Sequence, residues 1–286
     1  MIIVDLSQVM LSNIMMSIKN NNDIHEDVIR HMILNSIRSY NVKFGKEYGE
    51  MVLACDASNL WRKQVFPYYK ANRKKSRDAS TLDWKLLFEI IDKVRNEITE
   101  FFPYRVIRID TAEADDVIAS LVMANSLEDI NNNNKILIVS GDGDFVQLQR
   151  FPNVEQYDPV KKKRIVHNNP HNNLIEKIIR GDVGDGVPNI LSNDNCLVMG
   201  IRQSPIQSAK VLQWLKMKPE EFCQTETMVR NFKRNEMLID LSQVPKDIQD
   251  KVLLEYENQS GKRKDKLVNY FMKNKLVQLF DYIQDF

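Results

Sequence analysis

The chain has 286 residues, enough for one large domain or two modest ones, and its 43% hydrophobic content suffices for a core. Its net charge of +1 conceals local segregation of acids and bases, so composition alone names no partner. The three cysteines, Cys55, Cys196 and Cys223, form no CxxC pair, which excludes a disulfide framework and a zinc site and predicts buried, reduced thiols. No run reaches transmembrane length and Ile2-Ile3-Val4 starts without a basic leader, so the expected setting is the cytoplasm, away from membranes.

In chain order, Ile2-Ile3-Val4 reads as a buried strand ending at Asp5, with Ser7 expected to cap a helix carrying Val9, Met10, Ile14 and Met15. A second helix over 26–44 is expected to bury Val28, Met32, Ile33, Ile37 and Tyr40 along one stripe. The asparagine runs at 20–22 and 131–134 read as loops. Residues 51–55 form another apolar strand, followed by Asp56. Then comes a basic stretch without acids: Arg62, Lys63, Lys70, Arg73, Lys74, Lys75 and Arg77, with Trp61, Phe66, Tyr68 and Tyr69 interleaved. Such a run is usually a solvated face, but cations mixed with aromatics suit phosphate contact and base stacking. Pro67 breaks any long helix there, predicting an arch over 62–80 that orders on nucleic acid. Ser80 and Asp83 are placed to cap the next helix, which runs to about 101 on Leu86, Leu87, Ile90, Ile91, Val94 and Ile98.

Two further β-branched runs, 106–109 and 135–139, flank a helix over 114–127, a βαβ unit whose strands should be parallel. Glu113, Asp115 and Asp116 follow the first run, and Asp142 and Asp144 the second. Taken singly, Asp110 with Glu113 makes a capping box, and Asp115 and Asp116 suit the positive end of a helix. Asp142-Gly143-Asp144 is no EF-hand, since Gln147 and Asn153 stand where glycine and glutamate are required. Four strands each followed by carboxylates change the balance, because a mostly parallel sheet crowds them on one edge. Such a cluster is tolerable only around a cation, and oxygen-only ligands favour Mg²⁺ or Mn²⁺.

Residues 154–166 read as a hairpin turning at Asp158-Pro159, its Lys161 to Arg164 cations guarding an edge strand or touching phosphate. From about 170 the texture is helical, with helices at 174–179, 208–215, 227–238, 246–256 and 265–285. Between the first two, Gly181, Asp182, Gly184, Asp185 and Gly186 make a tight turn whose amides suit phosphate and whose acids can reach the sheet edge. Asp240 to Val244 echoes Asp5 to Val9, a coincidence because neither a basic arch nor a second acidic strand follows.

These motifs, in this order, resemble the 5′-nuclease family of flap endonucleases and 5′–3′ exonucleases. The resemblance rests on Ile3-Val4-Asp5, Cys55-Asp56, Tyr68-Tyr69-Lys70-Ala71-Asn72-Arg73, Glu113-Ala114-Asp115-Asp116, Ser140 to Phe145, and Gly181-Asp182-Val183-Gly184-Asp185. It covers essentially the whole chain and is strongest to the bacteriophage branch that contains ribonucleases H. Gly200 to Pro205 lacks the second hairpin glycine of cellular members, again like the phage branch. The resemblance implies an α/β, PIN-like fold: a central, mostly parallel sheet flanked by helices over 1–169, and a helix-hairpin-helix-type duplex-binding lobe over 170–286. It implies that Asp5, Asp56, Glu113, Asp115, Asp116, Asp142, Asp144, Asp182 and Asp185 hold two Mg²⁺ ions, replaceable by Mn²⁺. Catalytic roles fall to Lys70, Arg73, Asp115 and Asp142, and Tyr69 is expected to stack on an end base. Nucleic-acid contacts are expected at Arg62, Lys63, Tyr69, Lys70, Arg73, Lys74, Lys75, Gly184, Gly186, Arg202 and Lys210.

The implied substrates are DNA and RNA–DNA duplexes with 5′ ends or flaps, met by a monomer in the host cytoplasm, with a single-strand-binding protein or sliding clamp as candidate recruiters. Two rivals remain: a catalytically inactive branched-DNA or single-strand-binding module of the same fold, and a PIN-like ribonuclease. Phosphatase and nucleotide-binding readings fail, since Leu6-Ser7 follows Asp5 and no phosphate-binding glycine loop occurs.

Overall fold

A computed structural model describes residues 1–20, 25–127 and 134–286, and only the backbone at 19–20, 74–76 and 127. The asparagine runs therefore lie largely outside the described residues. Six strands form one sheet in the order β3-β2-β1-β4-β5-β6. These are β1 (Ile2–Asp5), β2 (Met51–Ala54), β3 (Arg105–Ile107), β4 (Ile136–Val139), β5 (Val154–Asp158) and β6 (Lys163–Ile165). The first five run parallel; only β6, the far side of the expected hairpin, is antiparallel. All five parallel strands thus deliver their carboxyl ends to one edge, and the connections change direction on either side of β1.

Alternation along the strands builds two cores. Ile2, Val4, Leu53, Leu137 and Val139 face one side, against α1 (Leu6–Asn20), α2 (Glu26–Tyr48) and α5 (Trp84–Phe101). Ile3, Val52, Ile136 and Ile138 face the other, against α6 (Ala114–Leu127) and α11 (Lys246–Asn258). A third core joins α7 (Pro170–Arg180), α8 (Ser208–Trp214) and α10 (Glu226–Ile239) to Leu60, Phe66 and Tyr69. The chain after residue 170 is helical, yet it divides: up to Ile239 it makes the third core, whereas Leu241 to Val252 and Leu267 to Phe286 return to the two faces of the sheet. Among the described residues no helix is long and apolar enough to cross a membrane. The three thiols are free and buried, as expected.

Several local expectations need correction. On α2 the buried stripe is Ile29, Ile33, Leu34, Ile37, Phe44 and Tyr48, while Val28 is 47% exposed. The helix runs to Tyr48, a turn longer than expected, and the stripe continues through Phe44 to that last residue. Asp5, not Ser7, caps α1, accepting a hydrogen bond from Gln8 N at 3.0 Å. At the start of α6, the capping box expected of Asp110 and Glu113 shifts by three residues: Asp116 reaches back and accepts from Glu113 N at 2.9 Å. The single helix expected at 265–285 is broken into α12 (Leu267–Lys273), α13 (Val277–Phe280) and a 3-10 turn, because Lys275 adopts φ 52 and Leu276 N donates back to Phe271 O.

Candidate functional site

The edge formed by the strand ends carries the acids. Asp5 closes β1, Asp56 follows β2, Glu113 to Asp116 open α6 after β3, and Asp142 and Asp144 flank the start of a 3-10 helix after β4. Asp115, Asp142 and Asp144 each present an oxygen such that all three lie within 4.8 Å of one another. They converge because Asp142 accepts from Asp144 N at 2.9 Å, folding the strand end back on itself, and Gln156 Nε2 donates to Asp142 O at 2.6 Å. Asp5 is held from behind: Ser140 Oγ donates to it at 3.1 Å, and Gln8 Oε1 accepts from Gly141 N at 2.7 Å. Asp56 is exposed and accepts from Ala114 N at 2.8 Å.

The electrostatics show crowding. Burial, then the charge of Asp56 and more weakly that of Asp142, pushes Asp5 from 3.8 up to about 7. Burial with Asp142, Asp5 and Glu113 nearby raises Asp115 well above the usual carboxylate range, although Lys70 opposes this. Acids raised in the fold stabilise it fully below their unfolded value and lose that contribution as pH climbs through the folded value. The expected result is a melting temperature that falls between about pH 5 and pH 8 in EDTA and is restored by Mg²⁺ at pH 8. A melting temperature that rises with pH over that window, without divalent ions, would contradict the crowding.

The remaining acids are already engaged by internal cations. Glu113 is buried and meets the Lys70 ammonium, Arg62 at 3.1 Å and the Tyr69 hydroxyl at 2.9 Å. Burial alone would raise its carboxyl, but Lys70 and Arg62 outweigh that and hold it below its ordinary value. Asp185 accepts from Tyr69 at 2.9 Å, pairs with Arg73 at 2.5 Å and lies 3.5 Å from Lys70. The Lys177 ammonium joins Asp144 to Asp182, the latter at 2.9 Å. Lys177 was absent from the sequence candidates: a lysine in the last turn of a helix reads as a routine partner for the helix dipole.

Four sequence candidates take other roles. Asp116 is fully buried, paired with Arg62 at 2.7 Å and accepting from Trp61 Nε1 at 3.0 Å, so it braces the site instead of facing an ion. Arg62, expected on nucleic acid, is 2% exposed and spends its donors on Asp116, Glu113 and Leu238 O. Tyr69 is buried with its hydroxyl committed to Glu113 and Asp185, which removes it from base stacking. Gly186 is buried with its amide donating to Val183 O at 3.2 Å, and it serves close backbone approach: at φ 74, an added Cβ would lie 2.8 Å from Tyr68 O.

The basic stretch is therefore half core and half surface. Trp61, Arg62, Phe66 and Tyr69 are buried in α3 (Trp61–Val65) and the turn after it, which docks through Lys70 N on Asp185 O at 2.7 Å. From there α4 (Ala71–Asp78) carries Arg73 outward; the side chains of Lys74 and Lys75 lie outside the described residues. Lys63, Gly184, Arg202 and Lys210 are exposed. Between α1, α4 and α5 lies a cleft of about 910 Å³, bordered by Asp56, Arg73, Arg77, Arg95, Arg108, Trp84, Phe88 and Gly184. Arg95, Arg108, Trp84 and Phe88 were not legible as site residues, because they sit on a helix and a strand end that otherwise read as scaffold.

A parallel sheet whose direction change gathers carboxylates beside a basic, aromatic cleft has the architecture of a PIN-like 5′-nuclease fold. The chain belongs to the 5′–3′ exonuclease family of nucleases: residues 3–178 match the model described as the 5′–3′ exonuclease N-terminal resolvase-like domain, and residues 169–286 that described as the T4 RNase H C-terminal domain. It is 34% identical over 294 residues to the ribonuclease H of Enterobacteria phage T4, covering 99% of this chain and 95% of that one. Among solved structures it is similar to the T5 5′-exonuclease with bound divalent metal ions (zinc), with TM-score 0.62 and 16% identity over 91% of this chain and 99% of that one. The T5 D15 flap endonuclease in a pseudo-enzyme–product complex with DNA and metal ions matches with TM-score 0.60 and 16% identity over 90% and 98%.

Proposed function

We propose that the protein is a structure-specific 5′ nuclease that hydrolyses phosphodiester bonds at the 5′ ends and flaps of DNA and RNA–DNA duplexes, removing primers during phage DNA replication. The observation that carries this reading is the convergence of Asp115, Asp142 and Asp144 within 4.8 Å at the direction change of the sheet. The similarity to a phage ribonuclease H and to a flap endonuclease solved with DNA and metal ions supports the substrate class.

The donor set fits a hard divalent cation, being oxygen-only with neither histidine nor cysteine. When bound there, a pair of Mg²⁺ or Mn²⁺ ions supplies a water of lowered pKa and neutralises charge on the departing oxygen. Asp115, Asp142 and Asp144 hold one position, with Asp5 and Asp56 behind them. Asp144, Asp182 and Asp185 frame the other. Lys70 and Arg73, already on this edge, place positive charge beside the scissile phosphate. The 5′ strand lies in the cleft, its phosphates on the arginines and its bases on Trp84 and Phe88. Lys63, Lys74, Lys75, Arg202 and Lys210 touch backbone phosphate, giving slight sequence preference and strong salt dependence. The helices up to Ile239 form the duplex-binding lobe, while the later ones back the sheet. The protein acts as a monomer in the host cytoplasm, recruited by a single-strand-binding protein or clamp.

A pure binding module gains nothing from concentrating negative charge opposite DNA, which counts against the rival reading. A 5′-labelled branched duplex, in DNA–DNA and RNA–DNA versions, decides the matter. Short 5′ products are expected with Mg²⁺ and none in EDTA. Binding without cleavage of any substrate would instead identify an inactive module.

A further inference from the structure

We propose that Lys177 is a resident counter-ion of the site, and that a divalent ion taken up by Asp144 and Asp182 must displace its ammonium. The inference deepens the nuclease reading and rests on it. Lys177 projects from the last turn of α7 and joins two carboxylates that come from different parts of the fold, one after β4 and one after α7. Beside them lies a gap of about 10 Å³, the room of roughly one water or ion, bordered by Asp115, Asp144, Asp182 and Asp185 together with Arg62, Tyr69 and four apolar residues. Ligand oxygens around Mg²⁺ sit about 2.1 Å from the ion. An ion shared by Asp144 and Asp182 would therefore occupy the space in which the ammonium stands 2.9 Å from Asp182.

The consequence is an inequality between the two ion positions. Around Asp115, Asp142 and Asp144 binding relieves repulsion between like charges. At Asp144 and Asp182 it must first break an ion pair that is only about a quarter exposed at the lysine. Lys177 thus weakens the second position and, in exchange, keeps Asp144 and Asp182 from repelling each other before that ion arrives.

The test titrates EDTA-stripped protein with Mn²⁺, following free Mn²⁺ by electron paramagnetic resonance, and melts the same samples. Wild type should bind one ion tightly and a second more weakly. Lys177→Met should tighten the second ion by about tenfold, the equivalent of one pKa unit of charge interaction, and should melt lower than wild type in EDTA but not in saturating Mn²⁺. Lys177→Gln, which keeps hydrogen-bonding capacity without charge, should tighten it likewise and serves if the methionine variant does not fold. Lys177→Arg should leave the second ion weak. Two-ion binding by wild type with an unchanged or weaker second ion in both neutral variants overturns the inference and leaves the nuclease reading standing. A wild type that binds no ion overturns both.

Discussion

Asp142→Asn is expected to abolish cleavage while leaving the fold at least as stable. The substitution changes one atom. Asparagine caps a helix as well as aspartate does, so the bond that Asp142 accepts from Asp144 N at 2.9 Å is retained, and with it the backbone reversal that places both residues. What is lost is one of the three oxygens that converge within 4.8 Å, together with its charge. In a metal-assisted hydrolysis the ligand charge fixes the ion where it can acidify water and meet the leaving oxygen, contributions made mostly in the transition state. A loss on the order of 10³-fold in single-turnover rate is expected, about 4 kcal/mol of transition-state stabilisation. In EDTA the same change removes a negative charge from beside Asp5 and Asp115, both raised by burial and further by Asp142, so melting should be unchanged or higher. Binding of a branched duplex should persist, because the backbone contacts lie elsewhere. A variant that cleaves at the wild-type rate would remove Asp142 from the chemistry; one that loses activity by unfolding would show it in the melt.

The parts of this arrangement that were legible in the sequence are those governed by local pattern. Short apolar runs bury themselves on both sides, so 51–55 and 135–139 read as buried strands, and the acids after them share an edge once the connections are parallel crossovers. Side-chain direction was not legible. Nothing in the sequence separates Asp115, which faces the cluster, from Asp116, which faces Arg62, because a helix start turns successive residues about 100° apart and only the packed fold says which way is out. The same holds for the basic stretch. Trp61 and Tyr69 look like stacking residues until the third core and the second sheet face claim them. Val28 and Ile29 are equally apolar, yet the packed fold buries Ile29 and leaves Val28 47% exposed. Lys177 and Lys70 were the hardest case: their pairing with Asp144 and Glu113, more than thirty positions away, is a property of the tertiary fold alone.

Arg62→Met is the substitution expected to damage the fold most. The arginine ties three pieces together: α3 that carries it, α6 through Glu113 and Asp116, and α10 through Leu238 O at 2.9 Å. Its guanidinium also lies 4.6 Å from the centre of the Trp61 ring, the ring whose Nε1 donates to Asp116. Methionine fills much of the same space, so the cavity term is small and the charge term dominates. Asp116 is wholly buried, and burial already raises its carboxyl even with Arg62 present. Without the guanidinium it must either stay charged and unpaired or take up a proton. Removing one partner of such a pair costs about 3–5 kcal/mol, and at this chain length the melting temperature should fall by roughly 10 °C. The diagnostic step is the double variant Arg62→Met, Asp116→Asn. An asparagine at 116 still accepts from Trp61 Nε1 and Glu113 N through its carbonyl oxygen but carries no charge, so the double variant should recover part of the loss. Recovery would assign the cost to the stranded carboxylate. A single variant within about 1 kcal/mol of wild type, or a double variant no better than the sum of its parts, would mean that packing around Trp61, not this buried ion cluster, holds the basic stretch against the sheet.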